Sequence, residues 1–246
     1  VRPAAIAHRL EVLTRARQLP TLDPSLRLDP QTSTTMLARS FLWTVQVLGI
    51  PQPLLYVHPS LEVGLVAPPA LEPASVVNRA LGSGLDLREL SFLWGRHLTI
   101  FRPDFRLLTF FPTVDLLAHL TAAAALAAEW TDRKASFVEP ATAELARRIH
   151  EDLGEDGRGD LVAASAEVQR GDVAARLLDW ARGVELTAAR VGLVACGDVS
   201  VAAALTERFP VGGHTSVFDQ VNALLGFTAD DEYAALREHL GVTVRA

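Results

Sequence analysis

The sequence predicts an α+β protein, predominantly helical, with one small sheet of about three strands. Three observations carry that expectation. Apolar residues recur at helical spacing through most of the chain. Three short apolar runs, Leu54–His58 (LLYVH), Leu61–Ala67 (LEVGLVA) and Ala74–Asn78 (ASVVN), fall together between Pro51 and Gly82. Proline and glycine punctuate the gaps between these segments, where neither helix nor ladder tolerates them well.

Taken in order, Ala4–Leu19 has Ile6, Leu10, Leu13 and Leu19 near helical spacing and reads as an amphipathic helix. Pro20, Pro24 and Pro30 then keep Thr21–Pro30 out of regular helix, and the exposed arm Leu19–Pro30 is expected to cover a groove or wrap the domain. From Thr32 a mostly apolar helix runs to Gly49, with Pro51 and Pro53 as stop signals. After the three strands, Ser83-Gly84 predicts a turn. Asp86 followed by Glu89 predicts a capping box that opens a helix over Leu87–Arg102. Helices are expected at Thr113–Trp130, Pro140–Leu153, Asp160–Arg170, Asp172–Cys196, Val199–Phe209, Ser216–Leu225 and Asp230–Leu240. Gly154–Asp160 (GEDGRGD) is expected to be a mobile surface loop. No repeat of 20–50 residues is visible, and no interdomain linker stands out. We therefore expect a helical arm and helix over 1–53, packed on a domain over 54–246, all within one α+β domain.

Composition narrows the function classes. With 49% hydrophobic and 21% charged residues in 246, the chain has ample material for a core and is not a disordered tail. Its net charge is −6 and its basic residues form no dense cluster, which argues against nucleic acid as a partner. The apolar stretch Phe105–Trp130 is interrupted by Pro112, Asp115, His119 and Glu129, so no membrane span is expected. Cys196 is the sole cysteine, which excludes an intrachain disulfide, and a cytoplasmic location is the expectation. No basic segment followed by an apolar one marks a signal peptide. A first residue of Val1 suggests a trimmed or partial chain.

Recognisable chemistry is sparse. Among the seven histidines (His8, His58, His97, His119, His150, His214 and His239) no two stand four apart, the spacing that places two imidazoles on one helix face for zinc. Cys196 in VGLVACGD reads as a small core residue. No G-x-S-x-G elbow occurs, and Gly82-Ser83-Gly84 is too short for a phosphate loop. Trp94 and Phe101 read as core, and Asp230-Asp231-Glu232 as a helix start that suits the dipole. We expect no metal and no cofactor.

The order of elements is more telling. Strands lead through a glycine-containing turn to the acid-capped helix Arg88–Arg102 (RELSFLWGRHLTIFR), and much later Val184–Leu193 (VELTAARVGL) lies on a long helix. This resembles the gluzincin metallopeptidases of the CAAX-prenyl-protease-like kind, especially soluble relatives attached to helical-repeat proteins. In that family a strand-rich stretch precedes E-L-x-x-V-L-x-H-E-x-x-H, and a glutamate in R-E-x-x-A-D-R-x-G supplies the third zinc ligand. Here Glu89-Leu90 matches the opening E-L and Gly95 the small residue before the motif. Arg96 then stands at the first zinc-binding histidine, His97 at the catalytic glutamate and Ile100 at the second histidine. Glu185 falls at the ligand glutamate; Ala188, Arg190 and Gly192 fit the later pattern, and Ala189 replaces its aspartate. The resemblance spans about 54–246.

What it implies is a pseudo-enzyme. A zinc peptidase needs a metal to polarise the carbonyl and a carboxylate to accept a proton, and two of three ligands and the base are replaced. Arg96 and Glu185 are expected to face one another as an ion pair where zinc would sit. The expected function is a non-catalytic peptide- or protein-binding module, holding a precursor peptide in a biosynthetic pathway or serving as an adaptor. Extended peptide would add to an exposed sheet edge, with Leu61, Val63, Leu65 and Ala67 of the edge segment and Arg96 and His97 of the helix as candidate contacts. Two alternatives remain open. One is a metal hydrolase whose site is rebuilt from His97, Glu185 and a distant histidine. The other is a structural or dimerisation domain without a peptide ligand, with a homodimer as its assembly.

Overall fold

Short elements flanked by prolines begin the fold in the computed structural model, which describes residues 20–62, 64–70, 72–131, 140–153, 155–168 and 172–242. A 3-10 turn at Pro24–Leu26 is capped by Asp23, whose side chain accepts from the Ser25 N–H at 2.8 Å. It leads into strand β1 (Arg27–Leu28). Helix α1 (Met36–Leu48) follows, capped by Thr35 and ended by Gly49 at φ 60, the left-handed conformation in which a side chain would be strained. Strands β2 (Leu54–His58), β3 (Leu65–Val66) and β4 (Ala74–Asn78) come next.

Helices α2 (Arg79–Gly84) and α3 (Leu87–Leu98) continue the chain, with a 3-10 turn at Thr99–Phe101. The Asp86–Glu89 capping box forms: the Asp86 carboxylate accepts from the Glu89 N–H at 2.9 Å, and Glu89 accepts from the Asp86 N–H at 2.7 Å. The remaining helices are α4 (Leu107–Phe110), α5 (Thr113–Trp130), α6 (Pro140–Asp152), α7 (Glu155–Val168), α8 (Val173–Cys196), α9 (Val199–Arg208), α10 (Val217–Thr228) and α11 (Asp231–His239).

The sheet is mixed, with order β1-β2-β4-β3. β2 and β4 run parallel from Leu54↔Ala74 to His58↔Asn78, while β1 on β2 and β3 on β4 are antiparallel. The chain is thus α+β, as predicted, with one strand more than the sequence suggested. The described residues divide into two compact units, one drawn from Phe110–Ala181 and one from Pro20–Thr109 with Arg182–Ala246. In the first, Ala122, Ala123, Leu126, Ala127, Ile149 and Leu161 form the core of a helical cluster. In the second, Phe41, Leu55, Val77, Phe92, Trp94, Leu98, Leu193 and Leu224 centre a larger core beside the sheet.

Several expectations change. The arm Thr21–Pro30 contributes β1, which pairs with β2, so the stretch before Pro53 supplies a strand as well as a helix to the second unit. Ser83-Gly84 lies inside α2 and is not a free turn. The expected loop at Gly154–Asp160 is helical from Glu155 onward. Tertiary packing overrides the glycines there: Leu161 is buried against the α5 alanines, and the Arg158 guanidinium lies 4.7 Å from the Trp130 ring centre. The predicted helix Ala4–Leu19 lies outside the described residues.

Candidate functional site

Two glycines bring the two motif-bearing helices together. A Cβ added to Gly95 on α3 would stand 2.9 Å from the Gly192 Cα on α8, and one on Gly192 would stand 2.7 Å from the Phe92 carbonyl oxygen. Real Cβ atoms do not approach backbone so closely, so both positions require glycine for this crossing. Glu185 precedes Gly192 by seven residues, two helical turns, and so shares its side of α8. Arg96 follows Gly95 directly.

Arg96 is 6% exposed. Its Nη2 donates to the Phe209 carbonyl at 2.8 Å, and its guanidinium carbon lies 5.1 Å from the Phe92 ring centre. Burial lowers its pKa to about 10, so it remains a cation at neutral pH. Glu185 Oε1 accepts from the backbone N–H groups of Gly213 at 2.9 Å and His214 at 3.1 Å. No ion pair joins Arg96 to Glu185 within 4.0 Å. The expected direct pair is therefore replaced by two separate grips on one connector, the segment Phe209–Ser216 between α9 and α10. Arg96 Nη1, Glu185 Oε2 and Thr215 Oγ1 are buried without a hydrogen-bond partner.

That connector is tied down from several directions. Gln220, 2% exposed, donates through Nε2 to the carbonyls of Val211 at 3.5 Å and Thr215 at 3.1 Å. Arg182 Nε donates to the His214 carbonyl at 3.1 Å. Each of these bonds joins a side chain to the connector's main chain. Gly212 has φ 81, and a Cβ there would collide with Glu185 Oε1. The Phe209 ring reaches the residue before β3, since a Cβ on Gly64 would lie 3.3 Å from its Cε1.

His97 turns toward the sheet. Its Nε2 shares a 2.9 Å hydrogen bond with Ser75 Oγ on β4, and its ring packs edge-on against Trp94 and Phe101 at 6.0 and 5.5 Å. Desolvation, reinforced by the Arg96 charge, pulls its pKa down to about 3, so the imidazole is neutral near pH 7. Ser75 is 0% exposed, which leaves no room for a substrate at its hydroxyl; the pair anchors α3 to the sheet.

The other predicted residues separate. Leu65 and Ala67 are partly buried and pack on the second unit's core, as does Ile100. Ala189 is 1% exposed in the same core, and Trp94 and Phe101 are core residues as expected. The Leu61 carbonyl accepts from the Asn78 side-chain amide, and Val63 lies outside the described residues. Among the described residues of Leu61–Ala67, Leu65–Val66 form regular strand, which pairs with β4 and stands at an edge of the sheet. Sequence reasoning missed the connector. The one signal the sequence holds for it is Pro210 followed by Gly212-Gly213. Among the described residues no three histidine, cysteine, aspartate or glutamate side chains are grouped to hold a metal ion, and no helix is long and apolar enough to cross a membrane.

Comparison with protein-family models, curated proteins and solved structures finds no match to this chain.

Proposed function

We propose that the protein is a non-catalytic peptide- or protein-binding module built on a degenerate metallopeptidase scaffold. The observation that carries this reading is Arg96: a buried, desolvated cation stands on α3 where the resemblance implies the first zinc-binding histidine. The residues at the motif do not fit a zinc ion. Arg96 repels a dication and offers no lone pair, Ile100 is packed in the core, and His97 is engaged with Ser75. No hydrolytic step is assigned to them. Two features support polypeptide as the ligand. β3 is a sheet edge paired on one side, the kind of strand that accepts an extended peptide through main-chain bonds. Arg96 and Glu185 also already bind main chain, in the form of the protein's own connector.

Calorimetric titration with peptides encoded beside the gene, followed by mass spectrometry of the recovered peptide, tests the reading. Saturable binding with the peptide returned intact is expected; cleavage, or no binding by any such peptide, contradicts it.

A second reading, a dimerisation domain, is favoured by one observation. Phe218 and Leu225, seven residues apart on α10, are 73% and 50% exposed and share one helix side. Sedimentation of the wild type and of Phe218→Ser decides it: a dimer lost in the variant supports this reading, and a concentration-independent monomer removes it.

A further inference from the structure

We infer that the connector Phe209–Ser216 is an internal ligand, whose main chain occupies the polar groups that an incoming polypeptide would engage, and which must be displaced for binding. The inference rests on the peptide-binding reading and deepens it by naming what competes for the site.

The connector meets Arg96 and Glu185 as a bound peptide would. One carbonyl, that of Phe209, accepts from the guanidinium at 2.8 Å, and two successive N–H groups, of Gly213 and His214, donate to the carboxylate. Recognition is by main chain, and it is selective in one place: the residue over Glu185 Oε1 must lack a Cβ, which Gly212 satisfies. Val211, Gly212 and Gly213 are exposed, so the segment lies at the surface, while beneath it Arg96 is buried and Glu185 half-buried with its Oε2 shielded from solvent. Its polar fastenings are side chains of Arg96, Arg182, Glu185 and Gln220, and those donors and acceptors serve another main chain equally well, while the Phe209 ring packs on the core. Nor does the closed arrangement satisfy everything, since Arg96 Nη1 and Glu185 Oε2 have bonds still to make. The Phe209 ring also lies where a side chain on Gly64, beside the edge strand β3, would meet it. Displacement would therefore clear the approach to the strand and uncover the two charges together.

The test uses the whole chain and a synthetic peptide with the sequence of residues 208–216. Gly212→Ala forces a methyl group against Glu185 and lifts the connector; Gln220→Ala removes two of its fastenings without adding bulk and serves if the first variant does not fold. Labelling of Arg96 by phenylglyoxal, read by peptide mapping, reports whether the connector has lifted. Arg96 should be protected in the wild type and labelled in the variants. The peptide should bind the variants about tenfold or more tighter than the wild type, because the competent fraction has risen. The same peptide with alanine for its first glycine should not bind. Arg96 that stays unlabelled in both variants, or that is labelled with no gain in peptide affinity, overturns the proposal. If the wild type instead binds a foreign peptide while Arg96 stays protected, the peptide-binding reading survives and the internal-ligand proposal does not.

Discussion

At the scale of single residues two charges, the buried Arg96 and the half-buried Glu185, do not meet. Glu185 makes two hydrogen bonds to backbone N–H groups, and bonds to a charged acceptor contribute about 1.5–3 kcal/mol each at most. Because Gly213 is exposed and its N–H recovers water on release, Glu185→Ala should cost about 2 kcal/mol in total, read by urea denaturation. No loss of stability would show that the carboxylate does not hold the connector. His97 gives a second prediction. In the folded protein its ring stays neutral down to about pH 3, whereas the unfolded chain protonates it near 6.5. Between those values the unfolded state binds more protons, so the residue's contribution to stability is whole above pH 6.5 and is lost as pH falls through that window. The limiting slope for one such group is about 1.4 kcal/mol per pH unit. Stability curves of the wild type and His97→Gln should converge on acidification from pH 7 to 4; parallel curves would mean that the imidazole takes up its proton in the fold as readily as in the unfolded chain.

At the scale of elements, the crossing of α3 and α8 is set by the absence of side chains. Gly192→Ala places a methyl group against the Phe92 carbonyl, which is backbone and cannot swing aside. Overpacking of this kind costs about 1–3 kcal/mol. Gly183 on the same helix is the internal control, because a Cβ there meets nothing within 4 Å. Gly183→Ala should therefore stabilise by about 0.4–1 kcal/mol through helix propensity and a less flexible unfolded chain. Opposite signs in chemical denaturation are the expected result. Equal, small effects would place the two helices farther apart than described.

Legibility from sequence follows the range of the interactions at this scale. The capping box was readable because Asp86 and Glu89 are three residues apart and their bonds are local. The strands at Leu54–His58 and Ala74–Asn78 were readable from apolar runs, but their parallel register was not, since nothing local records it. β1 escaped because two residues between prolines carry no periodicity. The helix expected from Asp160 is present, but its start at Glu155 escaped because the glycines there spoke for a loop, while partners on other helices decided otherwise. In the site, the positions Gly95, Arg96, Glu185 and Gly192 were legible through a motif comparison. Glu185's partners were not: Gly213 and His214 lie 28 and 29 residues away and contribute backbone groups, which leave no mark on residue identity.

At the scale of the whole molecule, the proposed loss of metal chemistry and the retention of main-chain binding are two consequences of one arrangement. In the proposed reading a cation at the position of the first ligand removes the donor set, while Arg96 and Glu185 beside the same helix crossing hold the backbone of the chain's own connector. Native mass spectrometry of the purified full chain, taken after incubation with excess zinc and a candidate peptide and then desalting, tests this most directly. The expected spectrum holds the mass of the protein alone and of its complex with uncut peptide. A species retaining one zinc ion per chain, or peptide fragments in place of the intact peptide, would contradict it.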